Sequence, residues 1–300
     1  MEQEAAVTII EVGPRDGFQN IKNEISTPDK VKIIDLLSAS GLKRIEATSF
    51  THPRWIPQLK DSAEVIRQIM KPPGVTFSAL IPNERGLDRA IENGVEEVVF
   101  VISASDALNR SNFNKSTADS LTELTALAKK AKTKGIRLRG AVAASFGCPI
   151  EGNVPPERVI EVAKAFRNAE AFEILLADTA GMAHPLQVRD LVIRVSAELS
   201  GLAIAMHFHD TRGIGLVNVY SAWQAGARIF ESSIAGLGGC PYAPGAPGNV
   251  ATEKVVYMFQ RMGVQTDVDL DHLMKCVQVT RETIKEINLE HCDDRNRGGS

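Results

Sequence analysis

From residue 7 onward the chain repeats one pattern. A short β-branched run is followed by a turn-forming cluster, then by a longer stretch with helical apolar spacing. Residues 7–12 read as a first strand and stop at Gly13-Pro14-Arg15-Asp16-Gly17. Thr27-Pro28-Asp29-Lys30 carries the cap-then-proline signature of a helix start, and that helix runs to Ser40-Gly41. Residues 44–48 are a second strand, with a helix over 61–70. The same alternation pairs strand 75–80 with helix 84–93, strand 95–101 with helix 118–134, and strand 136–143 with helix 155–168. It closes with strand 171–176 and helix 185–199, strand 202–207 and helix 216–225, and strand 228–232 with a helix opening at Asn249.

Strands alternating with helices predict a parallel sheet covered by helices. Eight such units of about 30 residues predict a closed (β/α)8 TIM barrel. The competing open sheet lacks its usual mark, since no Gly-x-Gly-x-x-Gly follows the first strand. Residues 269–288, with Leu270, Leu273 and Val277 at helical spacing, add one or two C-terminal helices. One α/β domain over 1–292 is expected, with 293–300 (Asp-Asp-Arg-Asn-Arg-Gly-Gly-Ser) as a disordered polar tail. A net charge of −3 argues against a nucleic-acid surface. No apolar run has the length of a membrane span. The acidic start gives no sign of a signal or transit peptide. Cys148, Cys240, Cys276 and Cys292 are scattered, which fits reduced thiols in a cytoplasmic enzyme.

In such barrels catalytic groups gather at the C-terminal ends of the strands. The strand ends here carry Arg15-Asp16-Gly17-Phe18-Gln19, Glu46 through Ser49, Ser145 to Cys148, Asp178-Thr179, and His207-Phe208-His209-Asp210. The eighth leads into a run with four glycines between Gly236 and Gly245. In a strand, residues two apart share a face, so His207 and His209 project together. With Asp16 and Asn249 they make a candidate metal set. One carboxylate, two imidazoles and an amide oxygen suit Mg²⁺ or Mn²⁺ better than structural zinc. Asn249 also fits a helix N-cap, and Asp16 a turn residue; these roles stay open beside ligation. Arg15 can stabilise a developing oxyanion, or pair with Glu46, or do both. Cys240, on the glycine-rich loop, is placed to move a proton once that loop closes. Asp178 is read as orienting a ligand, transferring a proton, or capping the next helix. Gln19 and Ser49, at the ends of strands one and two, are candidate substrate contacts.

Together these motifs resemble the 3-hydroxy-3-methylglutaryl-CoA lyase family of metal-dependent lyase and Claisen-condensing barrels. The pieces that carry the resemblance are Val12 through Asn20, Ser49-Phe50 with Trp55-Ile56-Pro57-Gln58, and Phe146-Gly147-Cys148-Pro149. To these are added Asp178-Thr179, His207 through Thr211, Gly236 through Ala243, and Gly248 through Glu253. The resemblance implies metal ligation by Asp16, His207, His209 and Asn249, enolate stabilisation by Arg15, and proton transfer by Cys240, supported by Glu46 and Asp178. It implies an acyl-CoA thioester substrate, retro-Claisen cleavage, a homodimer, and a setting in leucine degradation or another branched acyl route. The chain departs from the family at Leu175 and Ala177, where a serine and a glycine are usual, at Arg212 and Ile214, where a tyrosine and a glutamine are usual, and at Pro247, where a small serine is usual. A larger or less polar 3-hydroxyacyl-CoA is therefore an alternative substrate. A condensing synthase is a second alternative, set back by the lack of sequence for a regulatory domain after the barrel. A non-catalytic binding barrel is a third, set back by the full set of chemical residues at one mouth.

Overall fold

Eight parallel strands close on themselves in chain order: β1 (Thr8–Glu11), β2 (Arg44–Ser49), β3 (Thr76–Ile81), β4 (Glu97–Ser103), β5 (Arg137–Ala143), β6 (Glu173–Asp178), β7 (Ala203–Phe208) and β8 (Ile229–Ser232). The closing pair is β1 with β8, in register Thr8↔Ile229 through Glu11↔Ser232. This computed structural model describes residues 6–239 and 248–297, with side chains to residue 287. Around the barrel lie α1 (Thr27–Ser38), α2 (Ser62–Gln68), α3 (Glu84–Glu92), α4 (Asp106–Phe113), α5 (Thr117–Thr133), α6 (Pro156–Asn168), α7 (Pro185–Glu198), α8 (Gly215–Gln224), α9 (Thr252–Arg261) and α10 (Leu270–Arg297). The (β/α)8 TIM barrel with a C-terminal helical addition is thus the observed fold. No described helix is long and apolar enough to cross a membrane.

Two boundaries differ from the sequence reading. The loop after β4 holds an extra helix, α4. Ser105 caps it by accepting the Leu108 N–H at 3.1 Å. Only Leu108 and Asn109 of α4 are buried, so it carries no apolar stripe to read. The last helix is a single one that runs past residue 288 to Arg297.

Alternate strand residues serve two different environments. Outward-facing residues such as Val98, Phe100, Leu138, Ile174, Leu176, Met206 and Phe230 join the apolar core beneath the helices. The lumen holds a separate, smaller apolar cluster of Val99, Ala141, Leu175 and Ala205. It also holds a buried ionic network. Arg44 pairs with Glu97 at 2.9 Å and with Glu173 at 2.7 Å. Arg139, 0% exposed, reaches from β5 both to Glu173 on β6 and to Glu231 on β8. A buried guanidinium is tolerated only when paired in this way.

Candidate active site

The end of β1 turns sharply. The Val12 carbonyl accepts the N–H groups of Arg15 at 3.1 Å and Asp16 at 2.7 Å, which holds both side chains over the barrel mouth. Beneath this turn Glu11 Oε1 accepts the Gly13 N–H at 2.7 Å and the Ile234 N–H at 2.8 Å. Its Oε2 accepts the Thr252 hydroxyl at 2.7 Å. One buried carboxyl group therefore ties together the loop after β1, the loop after β8 and the start of α9. Burial pushes Glu11 up to about 7, against those three hydrogen bonds.

Asp16 is the hub of the mouth. Its Oδ1 accepts from Arg15 Nη1 at 2.7 Å and from Gln19 Nε2 at 2.8 Å, and its Oδ2 accepts from Asn249 Nδ2 at 2.7 Å. His207 and His209 stand beside it with ring centroids 5.2 Å apart. One ligand atom each from Asp16, His207 and His209 lies within 4.8 Å of the others. Asn249 is brought in by an antiparallel bridge to His209. Its Nδ2 also donates to the Leu237 carbonyl at 2.9 Å. Two glycines permit this approach. A Cβ on Gly248 would meet the Gly238 carbonyl at 2.3 Å, and one on Gly238 would meet Asn249 Nδ2 at 2.5 Å.

This donor set fits a divalent cation. Asn249 Oδ1 is buried without a hydrogen-bond partner, and such an orphaned group is costly unless something satisfies it. His209 turns its Nε2 toward Asp16 Oδ2, 3.9 Å away. Burial raises Asp16, but Arg15 and the two imidazoles outweigh it and hold the carboxyl below its usual range. Burial and the neighbouring His207 bring His209 down to about 4, so its ring keeps a free lone pair at neutral pH. His207 differs. Burial lowers it, while its Nδ1 contact with Glu231 Oε2 at 2.8 Å raises it, and the upward effect wins. Burial alone would raise Glu231; Arg139 and His207 instead hold it at about 2, ionised.

The remaining candidates fall as follows. The Arg15 guanidinium forms the expected pair with Glu46 through Nε, while Nη1 also holds Asp16. Glu46 is 0% exposed and raised by burial. Asp178 accepts the Met182 and Ala183 N–H groups at 2.7 and 3.1 Å, and burial pushes it to about 6. It does not cap α7; His184 does that. Asn249 does not cap α9 either, because the cap position is Ala251. Ser49 is buried with its hydroxyl against that of Thr51 at 2.8 Å, and Gln19 leans on Asp16. Cys240 lies outside the described residues. Cys148 is free and buried, its sulfur accepting the Ile150 and Glu151 N–H groups at 3.3 Å.

Sequence reading passed over several buried charges, among them Glu11, Arg139 and Glu231. The signal was present, since each interrupts an apolar strand run, as in Ile229-Phe230-Glu231 and Leu138-Arg139-Gly140. Leu175 belongs to the lumen's apolar cluster, one step along β6 below Ala177, which pairs in register with His207.

A cluster of one carboxylate and two histidines at the mouth of a (β/α)8 barrel makes this a barrel with a candidate metal site. Residues 6–280 match the HMGL-like family, and the chain belongs to it. It is 44% identical over 291 residues to the mitochondrial hydroxymethylglutaryl-CoA lyase of Macaca fascicularis, covering 95% of this chain and 90% of that one. The crystal structure of Bacillus subtilis HMG-CoA lyase superposes with a TM-score of 0.92 at 44% identity, over 95% of this chain and 96% of that one. An HMG-CoA lyase from Acinetobacter baumannii, solved with coenzyme A and 3-methylmalate, gives 0.90 at 38% identity, over 93% and 92% of the two chains.

Proposed function

We propose that this chain is a divalent-metal-dependent carbon–carbon lyase that cleaves 3-hydroxy-3-methylglutaryl-CoA to acetyl-CoA and acetoacetate. The observation that carries the reading is the Asp16, His207 and His209 cluster, with the orphaned Asn249 Oδ1 beside it. These four residues would hold the metal. Their oxygen and imidazole donors favour Mg²⁺ or Mn²⁺. A bound divalent ion supplies Lewis-acid polarisation of substrate oxygens at this mouth.

The chain's own groups account for the rest. A carboxyl near 6, as at Asp178, exchanges a proton close to neutral pH and suits removal of the substrate's tertiary hydroxyl proton. Loss of that proton turns the C–O bond into the carbonyl of acetoacetate and breaks the adjacent carbon–carbon bond. The electron pair leaves on the acetyl-CoA fragment as an enolate. Arg15, fixed by Glu46 and Asp16, presents a permanent positive charge to that oxygen. The enolate carbon then takes a proton, a role we assign to Cys240 on the glycine-rich loop. Gln19 and Ser49 are the proposed substrate contacts.

Exposed Val217, Tyr220, Tyr257 and Met274, with Met262 just past the end of α9, give α8, α9 and α10 an apolar outer face, which supports a homodimer. The free, buried Cys148 and Cys276 suit a reducing compartment such as the cytoplasm. Product formation from 3-hydroxy-3-methylglutaryl-CoA with Mg²⁺ or Mn²⁺, beside a His207→Ala control, tests the function. Acetoacetate and acetyl-CoA from the parent protein and not from the control are expected. A protein that binds metal without turning over this thioester would move the substrate to another 3-hydroxyacyl-CoA and point to Leu175 and Ala177. A protein that neither binds metal nor turns over would overturn the lyase reading.

A further inference from the structure

The two histidines of the cluster are not equivalent. His209 Nδ1 has no hydrogen-bond partner among the described residues. His207 Nδ1 faces Glu231 Oε2 at 2.8 Å, from the neighbouring strand and in direct register, His207↔Glu231. Glu231 is itself gripped from across the lumen. Its Oε1 accepts from Arg139 Nη1, and Arg139 starts on β5, with β6 and β7 lying between in the sheet. The same guanidinium is anchored at its other side by Glu173, which also holds Arg44. Each of these side chains is at least 85% buried.

We propose that Glu231 is a positioning residue for metal binding, and that Arg139 is the strut that aims it. Glu231 accepts the proton of His207 Nδ1, which leaves Nε2 as the ring's lone-pair nitrogen and fixes the plane of the imidazole at the cluster. A ligating histidine whose second nitrogen is held by a carboxylate is better oriented and more basic than one left free. Geometry requires a carboxylate at this position. Both oxygens of Glu231 accept, one from Arg139 and one from His207. An amide has a single acceptor. A glutamine at 231 would serve Arg139 and present its NH₂ to His207 Nδ1, which selects the ring tautomer with the proton on Nε2 and blocks ligation. Turned the other way, it would serve His207 and set its NH₂ against the guanidinium.

This inference rests on the metal reading of the cluster, and the experiment separates the two. Mn²⁺ binding is measured by the loss of its free electron-paramagnetic-resonance signal, for the parent protein, Glu231→Gln and Glu231→Asp. Circular dichroism and the melting temperature are followed in parallel. No Mn²⁺ binding by the parent protein would overturn the metal reading itself. With a binding parent, the expected result is a dissociation constant raised about 10- to 100-fold in folded Glu231→Gln, partly restored in Glu231→Asp. A purely structural glutamate would lower the melting temperature and leave the affinity of folded protein within twofold, and that result overturns the proposal. Should neither variant fold, ¹⁵N-histidine spectra of the Mg²⁺-saturated parent decide. A proton on His207 Nδ1 supports the assignment, and a proton on Nε2 overturns it.

Discussion

The two faces of the same eight strands obey different rules. The outer face is largely apolar and is filled by the helices. Gly140 shows how tight that packing is: a Cβ there would sit 2.3 Å from the Phe166 ring of α6. The lumen face alternates a thin apolar layer, Val99, Ala141, Leu175 and Ala205, with fixed charges. Hydrophobic burial builds the outer face. Pairing of charges with one another builds the lumen, and its uppermost members are the groups that face the mouth. The lumen thus positions chemistry as well as closing the barrel.

Breaking one pair on each face separates these rules most sharply. Arg139→Met leaves Glu173 and Glu231 buried with one partner fewer each. The expected loss is about 3–5 kcal/mol of stability, read by urea denaturation, together with weaker Mn²⁺ binding. Phe166→Leu on the outer face should cost about 1–1.5 kcal/mol and leave Mn²⁺ affinity unchanged. Equal effects of the two on metal affinity would erase the distinction between the faces. Next in size, Arg15→Lys keeps the charge but loses the fork that joins Glu46 to Asp16. A fall in kcat of about 10²- to 10³-fold is expected, with KM far less affected. A change confined to KM would instead make Arg15 a binding group.

Much of this was legible in the sequence, and the lapses have a common cause. The alternation of strand and helix is local, so the barrel could be read directly. His207 and His209 are two residues apart, and Arg15-Asp16 sits at a turn, so these too are local signals. Glu231 and Arg139 are 92 residues apart in the chain and meet only across the closed lumen. Glu11 and Thr252 are separated by 241 residues. No spacing rule connects such pairs. The isolated charge within an apolar strand was the visible trace of each. Asn249 shows the opposite lapse. Its short polar side chain before a helix suits a cap, yet α9 starts two residues later than that reading requires, and the side-chain NH₂ donates to Asp16 and the Leu237 carbonyl.

Glu11 extends the comparison to pH. Its folded value near 7 lies above the ordinary 4.5, so the folded state holds the proton more tightly than the unfolded chain does. The stability this confers is full below about 4.5 and is lost as pH rises through 7, amounting to about 3 kcal/mol at most. Glu11→Gln can keep all three contacts. Its oxygen accepts from Gly13 and Ile234, and its NH₂ donates to the Thr252 hydroxyl. Urea midpoints at pH 5 and pH 8 should therefore fall less between the two pH values for Glu11→Gln than for the parent. An identical drop in both proteins would show that Glu11 is ionised across the whole range.

The smallest expected effect concerns backbone strain at the mouth. Two alanines there have left-handed backbones, Ala144 after β5 at φ 56° and Ala235 after β8 at φ 57°. An L-residue in that region costs about 1–2 kcal/mol. Glycine removes the strain but loses roughly 0.5–1 kcal/mol to the greater freedom of the unfolded chain. At Ala144, 0% exposed, glycine would also delete a buried methyl, worth about 0.8 kcal/mol, and the gain disappears. Ala235 is only partly buried, and its N–H donates to Glu253 Oε2 at 3.1 Å, a contact glycine retains. Ala235→Gly should therefore raise stability by about 0.5–1 kcal/mol, while Ala144→Gly should leave it unchanged. A destabilised Ala235→Gly would mean that the methyl contact with the apolar core outweighs the strain. The loop after β8 would then be held by packing as firmly as the outer face of the barrel.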